Sequence, residues 1–174
     1  MNFIGKTVLT SNQTQVTFTD IPSTYTDLLF YVSNRQSIST NFTNMQTWLN
    51  NDTSGNKYNM QSIFTNSPSS GAQVIGFQGL GYNDFDHMYC PGANATSSTF
   101  SNTMIYIFNY ASSSNKMVLV QASGENNAQP GFCHGFVGRF TGSAGISRID
   151  FDPDGSGYNM ISGSSIYVYG ISNS

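Results

Sequence analysis

The run Asp150-Phe151-Asp152-Pro153-Asp154-Gly155-Ser156-Gly157 sets carboxylates at alternate positions ahead of a glycine, the way a calcium-binding loop begins. Calcium takes about six to eight oxygen ligands, and this spacing could supply several of them. A helix-loop-helix site also needs a bidentate glutamate at its twelfth position, which here is Ile161, and Ile149 and Phe151 have strand rather than helix character. What remains is a surface calcium site on Asp150, Asp152 and Asp154, set against a plain Pro-Asp-Gly turn between two strands. A second constellation joins His87-x-x-Cys90 to Cys133-His134, two thiols and two imidazoles that would suit tetrahedral zinc. Cys133 and His134 are neighbours on a predicted strand, however, and neighbours on a strand face opposite ways. A Cys90–Cys133 disulfide is the other pairing, and in a reducing cytosol the two residues stay separate thiols.

Catalytic groups are sparse. The chain has two histidines and a single glutamate, Glu125, with no G-x-S-x-G elbow and no H-E-x-x-H helix motif. Asp84 and Asp86 could pair as glycosidase carboxylates, but they sit in a glycine-rich stretch typical of solvated turns. Gly142-Ser143-Ala144-Gly145 lacks the lysine and following helix of a phosphate loop. No catalytic residue and no cofactor are expected. Trp48, followed by Asn50, Asn51 and Asp52, could be a sugar-stacking platform, yet its place beside Leu49 on a predicted strand favours the core.

Composition narrows the elements that must carry these residues. Over 174 residues, aromatics reach 14% while charged residues are only 9%. Lysine appears only at Lys6, Lys57 and Lys116, so long amphipathic helices with charged outer faces are not expected. A net charge of −3 built from few charges leaves no basic stripe for nucleic acid. No apolar run approaches the length of about 20 residues that spans a bilayer, and the apolar stretch near Met1 is too short for a secretion signal. The acceptor patterns at Asn12, Asn41, Asn51 and Asn94 therefore read as by-products of an Asn- and Thr-rich chain. So little charge offers little repulsion between neighbours, which suits a subunit of an assembly.

Apolar alternation predicts strands at 3–9, 15–19, 27–33, 45–49, 58–64, 73–77, 103–110, 116–122, 131–140, 146–151 and 165–171. Many short strands at such spacing predict one all-β domain over residues 1–174, an antiparallel β-sandwich of jelly-roll-like form. Ile21-Pro22-Ser23 makes a corner, while Asn51–Asn56 and Ala111–Asn115 have the chemistry of hairpin turns. Two stretches, 67–71 and 79–98, interrupt the rhythm. Tyr82, Phe85 and Tyr89 in the longer one are the candidate exposed aromatics for partner contact.

The order of these segments carries a resemblance. A short N-terminal strand, TFTDIPSTYTDLLFYV, the WLNNDTSGNKY turn, IYIFNYASSSNKMVLV and a closing GSSIYVYGI together resemble small all-β virion proteins of tailed bacteriophages, over nearly the whole chain. The resemblance implies a structural role on a virus particle, with the major capsid protein or other virion subunits as partners and a homotrimer as one arrangement. Capsid decoration (cement) is the first expectation. The alternative is a tail-fibre or receptor-binding module that recognises host-surface glycans through Trp48 or the 79–98 stretch.

Overall fold

The computed structural model describes residues 1–66, 73–124 and 131–172. The expected 67–71 loop lies outside the described residues, which are strands joined by turns and bends. The strands are β1 (Asn2–Val8), β2 (Val16–Phe18), β3 (Asp27–Ser33), β4 (Phe42–Leu49), β5 (Tyr58–Asn66) and β6 (Gln73–Tyr82). They continue with β7 (Phe85–Pro91), β8 (Asn102–Phe108), β9 (Lys116–Gly124), β10 (Phe132–Phe140), β11 (Ile149–Pro153) and β12 (Ser165–Ile171). Among the described residues no helix is long and apolar enough to cross a membrane.

Two antiparallel sheets form a sandwich of unequal layers, one of eight strands in the order β1-β12-β3-β8-β9-β10-β5-β6 and one of four in the order β2-β11-β4-β7. Strict period-two patterns aim Leu28, Phe30 and Val32 from β3, Ile105 and Ile107 from β8, and Val118 and Val120 from β9 into the space between layers. The small sheet answers with Val16, Met45, Leu49, Met88, Ile149 and Phe151, all buried in the same core. Burial of this kind is worth roughly 1.5–3 kcal/mol per large side chain and is the main force closing the two layers.

Turn chemistry decides less than it first suggests. Ala111–Asn115 does join a hairpin, β8 to β9, and buried Lys116 caps it by donating from Nζ to Ser112 O at 2.7 Å and to Ser114 O. Asn51–Asn56 was expected to do the same, but β4 and β5 lie in different sheets, so the segment carries the chain across the sandwich. Asn50 and Asn51 adopt left-handed φ of 56° and 54°, which asparagine tolerates better than most residues, and Asn50 ties the crossing down through Gly145 O, Ser147 N and Arg148 N. The Asp154–Gly157 turn is likewise a crossing, since β11 pairs with β2 and β4 rather than with β12. The Ile21-Pro22-Ser23 corner moves the chain from the small sheet to the large one, and buried Tyr110 holds it by donating its hydroxyl to Pro22 O.

A strand absent from the sequence expectation, β7, occupies part of the 79–98 stretch. A bulge opposite Met45–Thr47 spaces its inward residues Phe85 and Met88 by three positions, and this hides the alternation. Beyond β7, residues 93–99 wrap around Arg35, whose side chain is only 6% exposed. Its guanidinium donates to Thr96 O at 2.5 Å, Ala95 O at 2.8 Å, Thr99 Oγ1 at 3.1 Å, and Thr99 O and Ala93 O at 3.3 Å. Burial lowers its pKa, and the carbonyls stand where a carboxylate partner would.

Candidate functional site

The three carboxylates of the 150–154 run do not converge. Asp150 is fully buried and its oxygens accept from Thr17 Oγ1 at 2.7 Å, Arg148 Nη2 at 2.7 Å and Arg148 Nε at 2.9 Å. A carboxylate so committed has little left for a cation. Asp154 is placed by its backbone, whose N–H donates to Asn44 O at 3.2 Å and Gln36 Oε1 at 3.3 Å. Burial raises the Asp152 carboxyl against the opposing bond from Gln15, and its Oδ1 is buried without a hydrogen-bond partner. Among the described residues no group of three or more His, Cys, Asp or Glu is placed to hold a metal, so the calcium candidate is not assembled because Asp150 serves an ion pair.

The zinc constellation also comes apart. Cys90 is buried and accepts from Asn34 Nδ2 at 3.4 Å, whereas Cys133 is exposed on the outer face of β10 and His134 points inward from the next position. The side chain of His87 lies outside the described residues. Cys90 and Cys133 are separate thiols, and burial pushes the Cys90 thiol well above its ordinary range.

Of the aromatic contact candidates, Phe85 is corrected. Phe85, expected to be exposed, is 1% exposed and meets Tyr58 edge-on at 4.9 Å and Phe136 at 5.8 Å, which makes it a core residue. Tyr82 is half-buried against the core. Tyr89 is half-buried among Phe132 at 5.9 Å and His134 at 5.1 Å, with its phenol raised by burial and by Asp86. Trp48 packs against the core too, and its buried Nε1 finds no partner, so it offers no open platform.

Exposed apolar surface instead gathers on the outer face of the eight-stranded sheet. Phe3, Tyr31, Ile63, Phe108, Met117 and Val137 are 40–62% exposed there, an unusual density for one face of a protein with so few charges. Register divides the face lengthwise. Toward one end Phe108, Met117 and the exposed Arg139 face one another in turn, and in the next row Tyr106, Leu119 and Val137 line up across β8, β9 and β10. The Tyr106 ring stands 4.6 Å from Phe108, and its hydroxyl donates to Asp27 Oδ2 at 2.8 Å. Burial and the adjacent Asp27 carboxylate push that phenol up to about 12, so it stays a neutral donor near pH 7.

Toward the other end the face hollows into a groove of about 600 Å³. One row across it reads Tyr167, Tyr31, Met104, Gln121 and Gly135, strand by strand from β12 to β10. In the next row Ser165 faces Ser33, and Asn102, Ser123 and Cys133 face one another in turn. Small residues and Gly135 open the space, while the tyrosines wall it on the β12 side. Among the described residues no Asp, Glu, Lys or Arg lines it. These residues were passed over in the sequence because each is only an outward position on its own strand, and the strand order is what gathers them.

No family model matches the chain, and neither does any curated protein. Among solved structures, the chain is similar to a crystal structure of the VIP36 exoplasmic/lumenal domain in its Ca2+/Man3GlcNAc-bound form. The likeness runs at 11% identity over 95% of this chain and 78% of that one, with a TM-score of 0.34, and a superposition so loose carries no functional information.

Proposed function

We propose that the chain is a non-catalytic structural subunit of a tailed-phage virion, a decoration protein that binds folded capsid subunits and reinforces the seams between them. The observation that supports this most is the apolar end of the large sheet's outer face, where Phe108, Met117 and Val137 stand 40–47% exposed on a chain with 9% charged residues. Such a surface gains free energy when covered, at about 25 cal/mol per Å² of apolar area removed from water. The scarcity of charge removes the repulsion that would otherwise oppose close packing with neighbours. The segment order that resembles small phage virion proteins points the same way, and β1, at the edge of the large sheet, has a free side on which a neighbouring strand could add. Exposed hydrophobic area marks an interface in general. The resemblance is what makes a capsid subunit the partner.

Quantitative mass spectrometry of purified particles tests the reading. A copy number on the order of one per major capsid subunit is the expected result, because a lattice site repeats with the shell's closed symmetry. A double variant, Met117→Asp with Val137→Asp, is expected to fold normally and fail to join particles. A few copies per particle would move the chain to the tail, and its absence from particles would end the proposal.

A further inference from the structure

From the groove at the other end of the same sheet face we infer a binding site for a neutral oligosaccharide. A sugar ring offers an apolar C–H face and a rim of hydroxyls, each both donor and acceptor. The groove presents the complement of both: Tyr31, 46% exposed, beside its cross-strand partner Tyr167, then the amides of Gln121 and Asn102. A carboxamide carries a donor and an acceptor on one group, which is what pairing with a hydroxyl requires. No hydrogen bond to another described residue occupies the Gln121 or Asn102 side chain.

The size and charge of the groove narrow the class. A volume of about 600 Å³ falls within the range of roughly 300–1,000 Å³ typical of small-ligand sites, enough for a few sugar units. Among the described lining residues there is no lysine or arginine to compensate a uronate, sialate or phosphate on entering, and no carboxylate to hold an amino sugar's ammonium. The open shape, spread over five strands from β12 to β10, fits a chain lying across the sheet rather than a single enclosed ring.

The inference is independent of the chain's place on a particle. Asn102 and Phe108 end the same strand, six residues and so roughly 20 Å apart, so a partner seated around Phe108 and Met117 leaves the Asn102 end of the groove open. It also moves glycan recognition away from Trp48 and the 79–98 stretch, whose aromatics are committed to packing.

The test uses the purified chain on a printed array of neutral and acidic glycans, followed by calorimetric titration with the best-retained neutral oligosaccharide. Neutral glycans should be retained, and uronate- or sialate-bearing ones of similar length should not. Tyr167→Ala and Gln121→Ala should each weaken the titrated affinity at least about ten-fold, with melting temperatures close to that of the parent. Gly135→Val provides a second probe that removes no contact. A Cβ at Gly135 meets only Val120 O at 3.5 Å, an ordinary contact, so the backbone accepts a side chain there, and one that projects into the groove should abolish binding. Retention of no neutral glycan overturns the inference, as does binding that survives Gly135→Val. So does self-association abolished by Gly135→Val without any glycan binding, which would give the groove to a second copy.

Discussion

Replacing Arg35 with alanine removes the common donor of four backbone carbonyls and one hydroxyl in the 93–99 segment. The two shortest bonds, to Thr96 O at 2.5 Å and Ala95 O at 2.8 Å, are charge-assisted and worth about 1.5–3 kcal/mol each. The longer contacts add little, and relief of the buried guanidinium's desolvation offsets part of the loss. A net cost of about 3–4 kcal/mol follows. At about 2.1 cal/mol/K of unfolding entropy per residue, this chain of 174 residues should melt about 10 °C lower. Circular dichroism melts, with urea titrations to confirm an unchanged slope, would read the shift. Hydrogen exchange should show the amides of Ala95 and Thr99 losing protection first. Arg35→Met keeps the apolar stem and should fare almost as badly, while Arg35→Lys should recover less than half, because a point charge cannot span carbonyls that a planar fork reaches. A drop below about 3 °C for Arg35→Ala, or full rescue by lysine, would refute the account.

Gly138→Ala should destabilise by about 1–3 kcal/mol in chemical denaturation, since its new Cβ would lie 2.5 Å from Phe85 Cε1, and Phe85→Leu in the same chain should recover part of the loss. Asp152→Asn should stabilise the fold at pH 7 by up to about 1 kcal/mol, a figure kept small by partial exposure. The sign follows from the raised carboxyl: the native state holds its proton more tightly, so the penalty is absent below the unfolded value and grows as pH rises through the folded one. Urea midpoints measured from pH 3 to 7 should therefore show the two proteins converging in acid.

Where a strand alternates strictly, the sequence is enough. β3 and β12 were legible to the residue, because Leu28, Phe30 and Val32, and likewise Ile166 and Val168, leave no choice of face. β7 was hidden because one bulge shifts Phe85 and Met88 out of period two, and the stretch then reads as an aromatic loop. The crossings after β4 and β11 read as hairpin turns, since turn residues signal a reversal of direction and say nothing of which sheet receives the next strand. Arg35 was invisible for a different reason, that its partners are main-chain carbonyls, which every residue possesses. The groove needs the order β12-β3-β8-β9-β10 before Tyr167 and Gln121 belong to one surface.

The position of β12 has a consequence for how the chain is made. It lies between β1 and β3, so β1, made long before it, has no neighbour in its sheet until residues 165–171 follow. All the partners of β3, β8, β9 and β10 other than β12 are already made by then, so a chain that pairs them first has an open β3 edge and an unattached β1. Open edges of this kind recruit strands from other chains, and synthesis in a crowded polysome brings such chains close. Completion of the sheet is thus a single late insertion that captures both flanks at once, and a ribosome stalled before Ser165 would release an arm free to enter a neighbour's gap.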